Sequence, residues 1–477
     1  MELTSQPVRT GPLLAILSGA PFVASLDLFV VNVAFSDIAK SYPGHSLGEF
    51  SWILNGYAIV YAALLIPLGR WADRIGHKRA FVGGLALFTL ASAACALSPS
   101  LWALVGFRVV QAVGAAALTP ASLGLLINAL PAARRQSGVR IWAAAGAAAA
   151  AFGPVVGGLL VEASWRWVFL INIPLGIVLL FFAVRLVPDT TDKDSDGGVH
   201  LTGAALLTIG IGSLALALVQ GPDWGWTDDR VLTAFALAVL TLAVFCWSNA
   251  RHRTPLIAPD LLTVRSFAWS NITAILFSAT FAAGLLSNIL WLQEVWGYSA
   301  LRTGFAVSPG PLMVPLFAIV GGSLTTRFSA GRVAALGSTL WGVGTLYVMF
   351  SVSTTPHYAT ALLPGWIITG IGVGLALPTI LSQATADLPP SRSATGSAVV
   401  SMSRQIGTVL GVSVLIAILG SAVDYDTFRR AWWVIFAVAI ASALASFGMT
   451  PTRAPSPDSA VTPDNAALSA IPERNLS

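Results

Sequence analysis

The sequence predicts an all-α integral membrane protein. Fourteen transmembrane helices are expected, arranged as two parallel six-helix bundles with two further helices inserted between them. Three observations carry this reading. The 477 residues are 56% hydrophobic and only 10% charged, with a mean hydropathy of +0.78, where a soluble domain carries about 25% charged residues. Fourteen apolar runs reach the ~20 residues that a spanning helix needs. A pattern of Gly, Pro, Leu and Arg also recurs at a fixed spacing. So little charge cannot keep so much apolar surface dispersed in water, which excludes soluble enzymes and nucleic-acid binders. The net charge of +5 reads as basic residues kept on the cytoplasmic side of a membrane.

Cutting the chain where charges, Pro and Gly interrupt the apolar runs gives spans at 12–36, 49–69, 79–98, 101–124, 139–162 and 167–187. Two more follow at 201–220 and 231–250, and then 267–291, 304–326, 332–352, 358–381, 394–420 and 429–449. The first run is too long for the apolar core of a signal peptide and lacks a small-residue cleavage site, so no cleavable signal is expected. An even number of spans puts both termini on one side. If that side is the cytoplasm, the inner segments hold 18 Lys and Arg and the outer ones 6, which decides the orientation. The segment after Pro451 is rich in Pro, Ser, Asp and Asn without apolar periodicity and is expected to be disordered.

The internal repeat sets the architecture. Gly114, Pro120, Leu130, Pro131, Arg134 and Gly138 recur 258 residues later as Gly372, Pro378, Leu388, Pro389, Arg392 and Gly396. Gly69, Arg74, Arg79 and Gly84 recur 253 residues later as Gly322, Arg327, Arg332 and Gly337. These pairs align spans 2–5 with spans 10–13. The shift of eight helices leaves the pair at 201–250 outside the duplicated halves. Because eight is even, the halves run in the same direction. The expected organisation is a first half over 1–190, two linking helices over 191–260, a second half over 261–450 and a tail over 451–477.

Few residues inside the spans carry chemistry. Asp27 is the only acid deep within a span, with Glu162 and Glu294 at outer ends. A carboxylate in lipid is either protonated or paired with a cation, and Arg108 in span 4 is the candidate partner, with Gln111 one turn on along the same face. An exchange of proton for arginine at Asp27 is a plausible coupling device, against the alternative of a fixed structural pair. The polar residues Asn32, Asn55, Gln111 and Arg404 are candidates to line a substrate cavity. Tyr57, Tyr61, Trp52 and Trp142 are candidates to stack on an aromatic substrate. Between spans 2 and 3 runs Gly69-Arg70-Trp71-Ala72-Asp73-Arg74-Ile75-Gly76-His77-Lys78-Arg79, two glycines suited to a tight turn around one acid among basic residues. Gly69, Asp73, Arg74, Gly76 and Arg79 form the candidate cytoplasmic gate, a latch that breaks when the halves rock. Thr326 stands at the Asp73 position of the second half, so the matching latch there is expected to be weak or lost. Span 5 carries Gly146 and Gly153-Pro154-Val155-Val156-Gly157-Gly158, small residues for close helix approach and a proline to bend the helix.

The run from Gly69 to Arg79 resembles the signature loop of the major facilitator superfamily, and two parallel six-helix halves are that family's plan. The span-5 glycines and proline resemble the helix-5 signature of its drug-export branches. Trp165-Arg166-Trp167 through Asn172-Ile173-Pro174-Leu175-Gly176 and Leu292-Gln293-Glu294-Val295-Trp296-Gly297-Tyr298-Ser299, with the segment around Asp27, resemble the fourteen-helix drug/proton antiporter branch. The resemblance covers about 12–450. It implies a secondary active exporter of lipophilic small molecules, driven by proton antiport through alternating access, in the inner (plasma) membrane with both termini cytoplasmic. Its partners would be a small-molecule substrate, protons and membrane lipid, with no nucleic acid, and it would act as a monomer.

Members that export dications tend to carry embedded acids in the second half. Here spans 10 and 13 have none, and span 13 offers Arg404 beside Gln405. The alternatives are a dedicated exporter of one endogenous metabolite or antibiotic, or an uncoupled pore or sensor of the same fold. No enzyme activity, cofactor or metal is expected. Nothing matches a nucleotide-binding Gly-x-x-x-x-Gly-Lys-Ser/Thr, and Cys95 and Cys246 sit singly within apolar runs.

Overall fold

The computed structural model describes residues 10–187, 201–252, 255–389, 392–420 and 424–450. The expected tail over 451–477 and the boundary near residue 190 lie outside the described residues. Fourteen helices are long and apolar enough to cross a membrane. They are α1 (Thr10–Ser41), α2 (Leu47–Ile75), α3 (His77–Ala96), α4 (Leu101–Ala129), α5 (Ala132–Ala163), α6 (Trp167–Leu186), α7 (Leu201–Trp224), α8 (Asp229–Arg251), α9 (Arg265–Val295), α10 (Ala300–Leu324), α11 (Ala330–Ser351), α12 (Tyr358–Ala386), α13 (Ser393–Leu419) and α14 (Tyr425–Phe447). Several overrun the apolar windows read from sequence. Helix α2 continues six residues past Gly69, because a polar side chain costs little once the backbone has left the apolar layer.

At the end of the molecule that holds Trp165 the turns are short and five of the helices that begin there carry side-chain caps. Ser46 and Glu49 form a reciprocal capping box at α2, with Glu49 N–H donating to Ser46 Oγ at 3.2 Å and Ser46 N–H to Glu49 Oε2 at 2.9 Å. Asp424 and Thr427 form a second such box at α14, and the side chains of Ser100, Asp228 and Ser299 each accept one backbone N–H at the start of α4, α8 and α10. Each cap satisfies amide groups that the helix itself cannot reach.

The repeat in the sequence is a repeat in packing. In the first half α1 packs on α5, α2 on α4 and α3 on α4 and α6; in the second, α9 packs on α13, α10 on α12 and α11 on α12 and α14. The duplicated glycines explain themselves at the α3–α4 and α11–α12 crossings. A Cβ on Gly114 would lie 2.6 Å from Phe88 N and 2.8 Å from Gly84 O, and one on Gly84 would lie 2.9 Å from Gly114 O. In the second half a Cβ on Gly337 would lie 2.6 Å from Gly372 O, and one on Gly372 2.9 Å from Trp341 N. Backbone meets backbone at both crossings, which only glycine permits.

The halves meet along two unequal seams. Along the first, α2 lies against α13 from Asn55, whose amide donates to Ser413 Oγ at 3.2 Å, down to a shared apolar cluster of Ala58, Ala62 and Ile66 with Val399, Met402 and Val409. Helix α7 packs on both and adds Leu207 and Ile211 to that cluster, while α8 packs on α7. Along the second seam α5 meets α10 at the Trp165 end alone. A Cβ on Gly158 would lie 2.7 Å from Ala300 O, and Gly304 abuts the Pro154 carbonyl. Toward the Asp73 end the two helices part, and Ile141, Ala143, Ala144, Leu316, Ile319 and Val320 stand exposed. The molecule is closed at the Trp165 end and splayed at the other.

The close crossings predict an ordered effect of one methyl group. Gly114→Ala and Gly372→Ala should each destabilise the protein by ~1–3 kcal/mol through overpacking. Gly83→Ala and Gly322→Ala, where a Cβ would meet nothing within 4 Å, should be neutral or slightly stabilising. Thermal unfolding of the detergent-solubilised variants measures the difference.

Candidate functional site

Asp27 and Arg108 are the only fully buried charged side chains among the described residues, each 0% exposed. Arg108 Nη1 forms an ion pair with Asp27 Oδ2. The same nitrogen donates to Gln111 Oε1 at 2.7 Å, and Gln111 Nε2 donates to Asp27 Oδ1 at 2.9 Å. Asn172 Nδ2 donates to the same Oδ1 at 2.9 Å and to Ser92 Oγ at 3.0 Å, and the Ser92 hydroxyl donates to the Phe169 carbonyl at 2.9 Å. Arg108 Nε reaches the Ile53 carbonyl at 3.3 Å, which ties α2 to the cluster. The carboxylate thus accepts from three side chains while α1, α2, α3, α4 and α6 converge on it.

Local structure explains why these groups reach one another. Gln111 follows Arg108 by one turn, so both project from one face of α4. Helix α6 breaks at Ile171 and restarts at Asn172, which sets the asparagine at the head of a helical segment. Gly176, one turn further, lies against Thr89 of α3 with no room for a Cβ. That close approach brings Asn172 to Asp27. The sequence showed Asp27, Arg108 and Gln111 as a group; Asn172 stood out only within the Trp165–Gly176 run, and Ser92 not at all.

A column of rings leads away from the pair. The Arg108 guanidinium carbon lies 4.2 Å from the centre of the Tyr57 ring, a cation–π contact. Tyr57 stacks on Tyr61 with centroids 6.0 Å apart and planes 9° from parallel. Tyr57 is fully buried, so its ring serves Arg108 and is closed to any ligand in this state. Tyr61 is half-buried and donates to Thr119 Oγ1 at 3.3 Å. Arg404 of α13 is half-buried at mid-helix, and its buried Nε has no hydrogen-bond partner.

The remaining candidates from sequence fall into distinct places. Asn32 is half-buried and its amide donates to the Leu28 carbonyl of its own helix at 2.7 Å. Asn55 is buried in the α2–α13 seam and Gln111 in the ion-pair cluster. Trp142 is held by Ser122 Oγ at 3.0 Å, and Trp52 is half-buried in the apolar clusters. The expected two-glycine turn is a correction. Only Gly76 takes a positive φ, +96°, and it alone separates α2 from α3. Gly69 stays helical and admits Pro120 of α4, 3.4 Å from where its Cβ would be. Asp73 sits one turn before His77, with Oδ1 3.3 Å from Nε2, while Arg74 and Arg79 are exposed beside it. The Thr326 hydroxyl donates to the Ser323 carbonyl at 2.7 Å, so it is engaged within its own turn. In α5, Gly146, Gly153 and Gly157 face α1 through Ser25, Phe29 and Val30, while Pro154 and Gly158 face α10. Glu162 and Glu294 are exposed near the closed end.

Removing one partner of a buried ion pair leaves an uncompensated charge, at a cost of ~3–5 kcal/mol. Arg108→Ala should therefore lower the unfolding temperature sharply. The double variant Asp27→Asn/Arg108→Gln, which removes both charges and keeps the shapes, should recover most of the loss. If the double variant unfolds as early as Arg108→Ala, the pair is not what holds these helices together.

Comparison with known proteins gives a consistent result. Residues 17–314 and 272–473 match the Major Facilitator Superfamily. The chain is 31% identical over 421 residues to the methylenomycin A resistance protein of Streptomyces coelicolor, covering 88% of each. It is 32% identical over 421 residues to the multidrug resistance protein Stp of Mycobacterium tuberculosis, covering 87% of this chain and 76% of the other. Among solved structures, a POT family transporter in complex with 5-aminolevulinic acid superposes with a TM-score of 0.68 at 17% identity, over 94% of this chain and 98% of that one. With its fourteen apolar helices and duplicated halves, the chain belongs to the Major Facilitator Superfamily, a family of multi-pass membrane transporters and not of enzymes.

Proposed function

We propose that the protein is a secondary active exporter of lipophilic small molecules, drugs or antibiotics among them, driven by proton antiport through alternating access. The observation that carries this is the one fully buried carboxylate among the described residues, ion-paired to the one fully buried arginine. Ionised, Asp27 keeps Arg108, Gln111 and Asn172 in place; a proton on Asp27 removes the charge that Arg108 answers and loosens the cluster where α1 and α4 cross. The resistance functions for which the methylenomycin and Stp relatives are named support export as the direction. The name of the first also supports a narrower reading, in which one endogenous antibiotic or metabolite is the substrate.

In this reading 1–190 and 261–450 rock as two bodies linked through 191–260, and 451–477 is a tail. The excess of Lys and Arg makes the Asp73 end cytoplasmic in a plasma (inner) membrane, so the closed Trp165 end faces outward and the state is open to the cytoplasm. Asp73, with Gly69, Arg74, Gly76 and Arg79 around it, acts as the cytoplasmic latch of the opposite state. Pro154 and Gly158 supply the outer seal, with Gly146, Gly153 and Gly157 seating α5 on α1. Asn32 and Arg404 line the substrate groove, while Gln111 serves the coupling pair and Asn55 the seam. Protons and lipid are the remaining partners, and the monomer is the working unit.

Everted vesicles from an efflux-deficient host test the reading, since a pH gradient should drive drug accumulation in them. A susceptibility panel in the same host separates broad from dedicated export. Asp27→Asn should fold and bind substrate yet lose accumulation against a gradient. Uphill transport by Asp27→Asn would place coupling elsewhere. Asp73→Asn should insert normally and slow turnover several-fold, because the latch loses charge and keeps shape; an unchanged rate in reconstituted vesicles would remove Asp73 from the gate.

A further inference from the structure

Arg404 is an arginine in the middle of a membrane helix without an ion pair. No carboxylate lies within salt-bridge distance of it among the described residues, and its buried Nε has no hydrogen-bond partner. An arginine at this depth costs ~2.5–3.5 kcal/mol on insertion scales, so a charge-bearing partner is the expected compensation. The protein does not supply one. Asp27 is fully enclosed and occupied by Arg108, Gln111 and Asn172, and the other acids in the helices stand near helix ends.

The neighbours of Arg404 show which way it is free to reach. Ser403 donates to Asn271 Oδ1 at 2.8 Å, and Gly407 and Gly411 abut the α9 backbone at Ile275 and Ala279. Met402 and Val409 belong to the apolar cluster shared with α2. Arg404 falls on neither packed face. It is half-buried at the middle of α13. With the ion pair of Asp27 and Arg108 neutral as a unit, Arg404 leaves one uncompensated positive charge at mid-membrane.

We propose that Arg404 forms a subsite for the anionic group of an amphipathic acid. This rests on the export reading and names its substrate class as lipophilic acids. A guanidinium offers planar, charge-assisted donors suited to a carboxylate, sulfonate or phenolate. A cationic compound would find the same charge repulsive and no open carboxylate to answer it.

The test uses the full-length protein in phosphatidylcholine vesicles and three isosteric probes: 2-naphthoate, neutral 2-naphthamide and 2-naphthylmethylammonium. Binding is read by equilibrium radioligand assay without any gradient. Naphthoate should bind about tenfold more tightly than the amide, a factor equivalent to ~1.4 kcal/mol, and the ammonium should bind more weakly than either. Arg404→Gln should bring the affinity for naphthoate down to that for the amide, with thermal unfolding of the solubilised variant reporting that it is folded. Arg404→Lys, with a point charge, should retain part of it.

Failure of naphthoate to outbind the amide, equal losses for both in Arg404→Gln, or preference for the ammonium would overturn the subsite. Because the assay needs no transport, acid preference that depends on Arg404 would stand even if gradient-driven export failed. Conversely, uphill export of neutral or cationic compounds without acid preference would leave export intact and sink the subsite. Repeating the assay with phosphatidylglycerol in the vesicles separates two sources of the anion. Competition seen in wild type and absent in Arg404→Gln supports the subsite and identifies a lipid headgroup as an occupant.

Discussion

A carboxylate in the middle of a membrane helix must be answered by donors, and meeting that demand at Asp27 organises the first half of the molecule. Each oxygen is served by a different part of the chain: Oδ2 by Arg108 of α4, and Oδ1 by Gln111 of α4 and Asn172 of α6. In a low-dielectric interior these contacts are stronger than in water, and a missing one is correspondingly costly. Side chains from α1, α3, α4 and α6 are therefore held to one arrangement, with Ser92 and Phe169 extending the network outward. Glycines complete the work where helices must come close enough for short side chains to meet.

The second half copies the packing and leaves out the charge. The residues 258 positions beyond Arg108 and Gln111 are Trp366 and Thr369. Trp366 donates to the Val307 carbonyl at 2.6 Å, and its ring meets Trp341 with centroids 6.2 Å apart. Bulky rings take the space that an ion pair and its amides take in the first half. The duplicated scaffold thus carries two different interiors, one whose stability depends on charge and one filled by aromatic volume. The two halves therefore share a packing plan but differ in what fills it.

Much of this was legible in the sequence because the governing forces are local or compositional. Apolar length marks a span, duplicated glycines mark duplicated crossings, and an acid and an arginine within apolar runs have few partners besides each other. What escaped depends on three-dimensional approach. Asn172 lies 145 residues from Asp27; it stood out in sequence only as part of the Trp165–Gly176 run, with nothing to tie it to the aspartate. Gly69 and Gly76 look alike in sequence, yet one relieves a helix crossing and the other a left-handed turn. Tyr57 reads as a surface for ligands until its neighbours show that Arg108 already occupies it. Helix ends ran past the apolar windows because hydropathy reports where lipid stops, and backbone hydrogen bonding does not stop there.

The two helices outside the duplicated halves give the molecule a spine. With α7 braced against both α2 and α13, that side stays joined along its length, while the α5–α10 side is joined at one end only. A shape of this kind opens like a book, along a single fore-edge. A molecule dissolved in the surrounding bilayer therefore meets two unlike flanks, one bound shut by four packed helices and one parted within a single leaflet. The inserted helices thus make the two flanks of the molecule unlike, one braced and one parted.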